Sequence, residues 1–213
     1  MAHWFSGEYR SSNPDVCMDP NSETSEAKKQ AKRIPGEAEF WLFIMGDLLV
    51  FTVLFLFYVF QRKNNLAQFQ VDQALLSQNI GLLNTLILLT SSLLVAIGVQ
   101  RLRLQRQNVS RFLIGGIFFG IFFVVVKALE YREKLVSGID LSGEYSFFML
   151  YFAMTGIHLA HVILGILVLL IALNLSRKEQ PIRYLKFVEC SAIFWHMVDL
   201  LWLVIFALLY VIR

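Results

Sequence analysis

Apolar residues fall into five long blocks, at 40–60, 81–99, 112–129, 147–175 and 187–212, separated by short stretches that collect most of the charge. A hydrocarbon core about 30 Å thick needs about 20 consecutive apolar residues in a helix, and all five blocks approach or exceed that length. The third is the shortest, and its far end carries charges. The fourth is the longest, which implies tilt or extension beyond the bilayer. Pro35 and Gly36 punctuate the approach to the first block, and Pro181 breaks the link between the fourth and fifth. The pattern predicts an all-α integral membrane protein with five transmembrane helices in a bundle over 35–213. The connecting loops are too short for a further domain. Residues 1–34 hold Ser, Asn, Pro, Asp and Lys without an apolar run, the composition of a disordered tail.

Composition strengthens this picture. The chain is 57% hydrophobic with a mean hydropathy of +0.60 and nineteen Phe, against 45–50% apolar for ordinary soluble domains. The net charge of +3 matters less than its placement. One side of the predicted membrane receives Lys28, Lys29, Lys32, Arg33, Arg101, Arg103, Arg106, Arg111, Arg177, Lys178, Arg183 and Lys186. The other receives Arg62, Lys63, Arg132, Lys134 and Arg213. Twelve against five places the N-terminus in the cytoplasm and the C-terminus outside. The tail lacks the apolar region of a cleavable signal, so the first span acts as the membrane signal. Cys17 and Cys190 lie in unlike settings, and no CxxC pair suggests a metal or redox site. No phosphate-binding glycine loop, nucleophile elbow or nucleic-acid patch is present, so a soluble catalytic domain and a nucleic-acid partner are excluded.

Ionisable groups at membrane depth are costly and mark functional candidates. Asp47 lies about seven residues into the first span, roughly 10 Å from its cytoplasmic end. His158 and His161, three apart, share one part of the fourth span's surface. Glu189 begins the fifth span, His196 follows seven residues later, and Asp199 stands about a turn beyond. Depth permits Asp47, His161, Glu189 and His196 to meet. Three readings stay open: hydrogen bonds and ion pairs that join helices, a carboxylate and a histidine that share or relay a proton, and a transition-metal site. The helical metal signatures E-x-x-H and H-E-x-x-H are absent, so no metal ligands are assigned.

Lys127 and Glu130 close the third span, followed by Tyr131, Arg132, Glu133 and Lys134. Snorkelling to the interface is the expectation for Lys127 and Arg132, while Glu130 directly follows an apolar run. Asn84, Thr90 and Ser91 in the second span suit interhelical hydrogen bonds. Gly116 with Gly120, and Gly156 with Ala160, are small residues four apart that suit close helix packing. Trp41, Trp195 and Trp202 divide between interface and core, and Trp202 is too deep for a belt residue.

The runs FWLFIMGDLLVFTVLF, NTLILLTSSLLVAIG, FGIFFVVVKALEY, FFMLYFAMTGIHLAHVILGI and FWHMVDLLWLVIFALLY together resemble subunit III of the haem–copper oxidases. The likeness follows all five spans in order over 35–213, in the five-span form that lacks the two leading helices of longer members. It implies a helical subunit with no haem or copper of its own, packed on a catalytic subunit I that holds the haem and copper. It also implies phospholipid in a cleft between helix groups and support of proton uptake. By the same resemblance Asp47 stands where the family has a buried carbodiimide-reactive glutamate. His158 and His161 match its histidine pair, Glu130 its glutamate before an aromatic, and His196 with Asp199 its tryptophan–histidine and aspartate run.

Asp for Glu at position 47 departs from that pattern, and with the Pro-Gly-Glu lead-in at Pro35 it resembles the branch associated with bacterial nitric oxide reductases. The partner would then carry haem and non-haem iron. The sequence thus points to a multi-pass subunit of a respiratory oxidoreductase complex in a bacterial inner membrane, without its own redox centre. A nitric oxide reductase accessory protein, a free-standing scaffold or transporter, and an independent metalloenzyme are the alternatives. The transporter is disfavoured by the lack of an inverted repeat or a broken helix.

Overall fold

A computed structural model describes residues 38–104, 108–136, 147–175 and 181–212, with the side chains of 38 and 181–183 left aside. The polar tail 1–34, Pro35, Gly36, Cys17, Arg106, Arg177, Lys178 and Arg213 lie outside the described residues, as does the side chain of Arg183. The described residues form helices joined by short turns, with no strand among them. The elements are α1 (Ala38–Asn64), α2 (Leu66–Ala74), α3 (Gln78–Arg103), α4 (Val109–Val136), α5 (Phe147–Leu175) and α6 (Pro181–Phe206), which runs on into a π-helical turn over Ala207–Val211. Five of these helices are long and apolar enough to cross a membrane. Helices are what such sequence must form in lipid, because each satisfies its own backbone hydrogen bonds where no water is available.

The helix ends differ from the sequence expectation in instructive ways. The third span extends over Val109–Val136 rather than 112–129, because Lys127 and Glu130 are held inside the helix bundle instead of ending the span. Pro181 is the first residue of α6, where its missing N–H has no helical acceptor to serve. The short helix α2 was not foreseen: it buries only Phe69 and Gln73, and its apolar content is too low to register as a block.

α3, α4, α5 and α6 pack as a ring in which each touches the next and α6 returns to α3. α1 lies outside that ring against α5 and α6, with only 17% of its apolar window buried, compared with 56% for the last span. Its lipid-facing surface, with Leu42, Leu49 and Leu56 more than 60% exposed, incurs no hydrophobic penalty in a bilayer.

Small residues set the ring's dimensions. Ser91 donates to the carbonyl of Gly116 at 2.7 Å, and a Cβ on Gly116 would sit 2.6 Å from Val95 Cγ2, so α3 and α4 meet backbone to backbone. Trp195 of α6 fills the space between Gly120 and Gly165, where an added Cβ would lie 2.7 Å from its ring on either side. The second expected pair is placed differently. Ala160 is exposed, and a Cβ on Gly156 would meet nothing nearer than the Tyr131 hydroxyl at 4.0 Å. Gly165 takes the packing role in α5, and sequence spacing alone could not choose between them.

The end of α6 is secured by side chains. Tyr58 of α1 donates to the carbonyl of Leu208 at 3.2 Å, Gln73 of α2 to those of Leu209 and Ile212 at 2.9 and 2.8 Å, and Gln78 of α3 to that of Tyr210 at 2.6 Å. A helix terminus leaves four carbonyls without helical donors, and here three helices supply them.

Gly120→Ala and Gly165→Ala should each lower stability by about 1–3 kcal/mol through overpacking against Trp195. Gly156→Ala should change it by no more than a few tenths, the usual scale for a substitution that meets no neighbour. Denaturation of the detergent-solubilised protein measures all three, and equal effects at Gly120 and Gly156 would contradict the packing described.

Candidate functional site

Polar side chains inside the bundle form separate groups, each built by helices that the apolar pattern brings to the same depth. The largest joins α4, α5 and the π-helical turn. Lys127 and Glu130 are one helical turn apart on α4, with side chains 1% and 2% exposed, and are paired at 3.0 Å. Lys127 Nζ donates to Glu130 Oε2, to the Tyr151 hydroxyl at 2.9 Å and to the Tyr210 hydroxyl at 3.1 Å. Both hydroxyls in turn donate to Glu130 Oε1, at 2.8 and 2.7 Å. An ammonium has three donors, and all three are used. Each tyrosine accepts from the cation and gives its proton to the anion, so the network closes with no charge left over.

The Trp202 ring lies 5.1 Å from Lys127 Nζ and adds cation–π attraction, as do the Tyr151 ring at 4.8 Å and the Tyr210 ring at 5.6 Å. Close by, Tyr131 and Thr155 hydroxyls meet at 2.5 Å and tie α4 to α5 again. The expectation that Lys127 snorkels to the interface is therefore corrected: it is wholly buried, because aromatic hydroxyls and a carboxylate replace the water it would otherwise seek. Tyr151 and Tyr210 were not singled out from sequence. The available signal was the depth of two tyrosines at the same end of their spans as Lys127 and Glu130.

The second group joins α1 to α5. His161 Nε2 and Asp47 Oδ1 are 2.9 Å apart, with side chains 19% and 11% exposed. His161 Nδ1 lies 2.8 Å from the carbonyl of Ile157, which can only accept, so Nδ1 carries a proton. A single further proton then lies between Nε2 and Oδ1. The pair is neutral as a unit whichever atom holds that proton. Phe51 stands edge-on to the imidazole at 5.3 Å and closes off one side.

The remaining candidates do not join this pair. His196 Nδ1 meets the Ser92 hydroxyl at 2.6 Å and links α6 to α3. Glu189 accepts from Arg103 Nε at 2.7 Å near the end of α3. Asp199 is 5% exposed, and its Oδ1 has no hydrogen-bond partner within the protein. His158 is fully buried between Phe123 and Trp202, with ring centroids 5.9 and 5.2 Å away. It faces the ring interior, whereas His161, three residues on, faces α1. Thr90 turns back to the carbonyl of Leu86 in its own helix, so of the three polar residues expected to bridge from the second span, only Ser91 does so through protein atoms. Among the described residues, no three His, Cys, Asp or Glu side chains converge as metal ligands.

Chemically, the arrangement offers buried, charge-balanced hydrogen-bonded groups and one shared proton, all on helices. The profile of the cytochrome c oxidase subunit III family matches residues 24–212, which span all five helices. The subunit 3 of the cytochrome bo(3) ubiquinol oxidase of Buchnera aphidicola is 25% identical over 92% of this chain and 94% of its own length. The cytochrome c oxidase subunit 3 of Spodoptera frugiperda is 35% identical over 62% of this chain and 88% of its own. A "Heme-copper oxidase subunit I+III" of Aeropyrum pernix is 32% identical over 81% of this chain, which spans only 22% of that longer relative. The chain belongs to the cytochrome c oxidase subunit III family.

Lys127→Met should destabilise the protein by about 3–5 kcal/mol, because Glu130 is left buried without its counter-charge. Adding Glu130→Gln to that variant should recover a large part of the loss. A double-mutant cycle from denaturation in detergent measures the coupling, and additive effects would mean that the two side chains act independently.

Proposed function

We propose that this chain is the subunit III of a respiratory haem–copper oxidase: a multi-pass, non-catalytic component that binds the catalytic subunit I. The observation that carries this reading is the family match over residues 24–212, which includes every membrane-spanning helix. Relatives named as subunit 3 of quinol and cytochrome c oxidases favour an oxidase over the nitric oxide reductase branch. In this reading subunit I carries the haem and copper and performs electron transfer to dioxygen. This chain supplies a helical surface and charge-balanced polar groups.

The finer assignments rest on sequence and chemistry. The cytoplasmic membrane of a bacterium is the site, with the N-terminus inside, as the twelve-to-five distribution of Lys and Arg supports. The thin packing of α1 on the ring leaves apolar surface for phospholipid chains or for subunit I. The Asp47–His161 pair is the group suited to support proton uptake, since it sets an imidazole nitrogen and a carboxyl oxygen 2.9 Å apart within the membrane-spanning helices. Glu130, by contrast, accepts from three donors and has an ammonium beside it, which suits it to a structural role.

A tagged chain isolated in mild detergent should bring with it a large membrane subunit containing copper and a- or o-type haem, identified by haem extraction and mass spectrometry. Recovery with a partner carrying haem b and c with non-haem iron would move the chain to the nitric oxide reductase branch. Recovery without any haem protein, under both aerobic and denitrifying growth, would overturn the subunit reading.

A further inference from the structure

Four polar atoms in the interior of the α3–α6 ring have no hydrogen-bond partner in the protein: Asn84 Oδ1 and Nδ2, and His158 Nδ1 and Nε2. Both residues are 0% exposed. They also lie in one layer of the ring. Trp202 Nε1 donates at 3.1 Å to Thr85, the neighbour of Asn84 on α3, and the same indole lies 5.2 Å from the His158 ring. Lys127 Nζ is 5.1 Å from that indole as well. A single tryptophan thus fixes Asn84, Lys127 and His158 at about the same depth, and Lys127 has no donor left to offer either of them.

A carboxamide presents two donors and an acceptor, and a neutral imidazole presents one of each. Neither residue type is stable in a low-dielectric interior with all of these unmet, and lipid supplies nothing in exchange. Histidine is also a poor choice for filling apolar space beside Phe123 and Trp202, where Leu or Phe would serve. A small molecule able both to donate and to accept satisfies the two residues, and buried water is the species that does this in protein interiors, with two to four polar partners each. We propose that this layer of the bundle is an internal hydration site in which ordered water is bound by the Asn84 carboxamide and the His158 imidazole.

The site is distinct from the Asp47–His161 pair, which opens toward α1, and from the closed Lys127–Glu130 network, whose donors are all internal. Water here lets the ring interior remain polar at mid-membrane without a further ion pair, and gives His158 a reason to be a histidine.

Radiolytic labelling of the full-length protein in H2(18)O tests the proposal, because bound water struck by X-rays oxidises the side chains beside it. Phe123 and Trp202 are fully buried and should nonetheless acquire label several-fold faster than Phe147, which is equally buried in an aromatic cluster. In His158→Phe and Asn84→Leu the excess label should fall toward the Phe147 level, while His158→Gln should retain it. Label on Phe123 and Trp202 no greater than on Phe147 in the unmodified protein would show a dry layer and overturn the inference. That comparison needs no variant, so it stands even where a substitution prevents folding. Excess label that survives in both His158→Phe and Asn84→Leu would equally overturn the assignment to these two residues.

Discussion

The neutralisation of Lys127 by Glu130 is the interaction on which the far end of this bundle is organised. A lysine in hydrocarbon needs a counter-charge and a partner for each remaining proton, and a carboxylate needs donors for its remaining lone pairs. Tyr151 and Tyr210 meet both needs at once, since a hydroxyl accepts on one side and donates on the other. The requirement reaches back into the fold. Tyr210 is delivered by a π-helical turn, and Gly81 has no Cβ because one would stand 2.8 Å from the Tyr210 ring. The carbonyls of that turn are then held by Tyr58, Gln73 and Gln78. The small helix α2 has its structural reason here: it carries Gln73 to the carbonyls of Leu209, in the π-helical turn, and Ile212, just beyond it.

A second constraint runs through the ring's other half. Trp195 occupies a slot that two glycines on different helices keep open, so one large side chain substitutes for the interdigitated leucines of a water-soluble bundle. Without a hydrophobic force between helices in lipid, such close packing and interhelical hydrogen bonds carry the association. The bonds from Ser91 to Gly116 and from Ser92 to His196 leave adjacent positions of α3 for different neighbours, α4 and α6. α1 has few of these devices and is correspondingly peripheral, joined to α5 through Asp47 and His161 and to the end of α6 through Tyr58.

Much of this was legible in the sequence. Five apolar blocks that approach or exceed the length a bilayer crossing needs set the number of spans, and depth counting brought Asp47 and His161 within reach of each other. Counting could not say which partner each polar residue takes, because that depends on rotation about the helix axis. Residues three apart, such as His158 and His161, ended on different neighbours for this reason, and Glu189 and His196 found Arg103 and Ser92 instead of Asp47. Snorkelling fails for Lys127 because it assumes that water is the only available solvent for an ammonium, whereas two tyrosine hydroxyls and a carboxylate solvate it here. Gly156 and Ala160 show the reverse: a spacing that permits close approach carries no tight packing there, since Ala160 is exposed and a Cβ on Gly156 would meet only the Tyr131 hydroxyl at 4.0 Å.

The distribution of partners along the chain also bears on how the protein enters the membrane during synthesis. Lys127 and Glu130 are three residues apart and so cross together as a pair already neutralised within one helix. Asp47 has no such companion: its histidine is 114 residues downstream. At 5–20 residues per second that interval is roughly 6–23 s. For that time the first helix must reside in the bilayer with a solitary acid, at an insertion cost of about 2.5–3.5 kcal/mol were it ionised at the centre. The long, almost unbroken apolar surface of α1, excessive for a helix with so little of itself packed, is what allows it to wait there until α5 arrives.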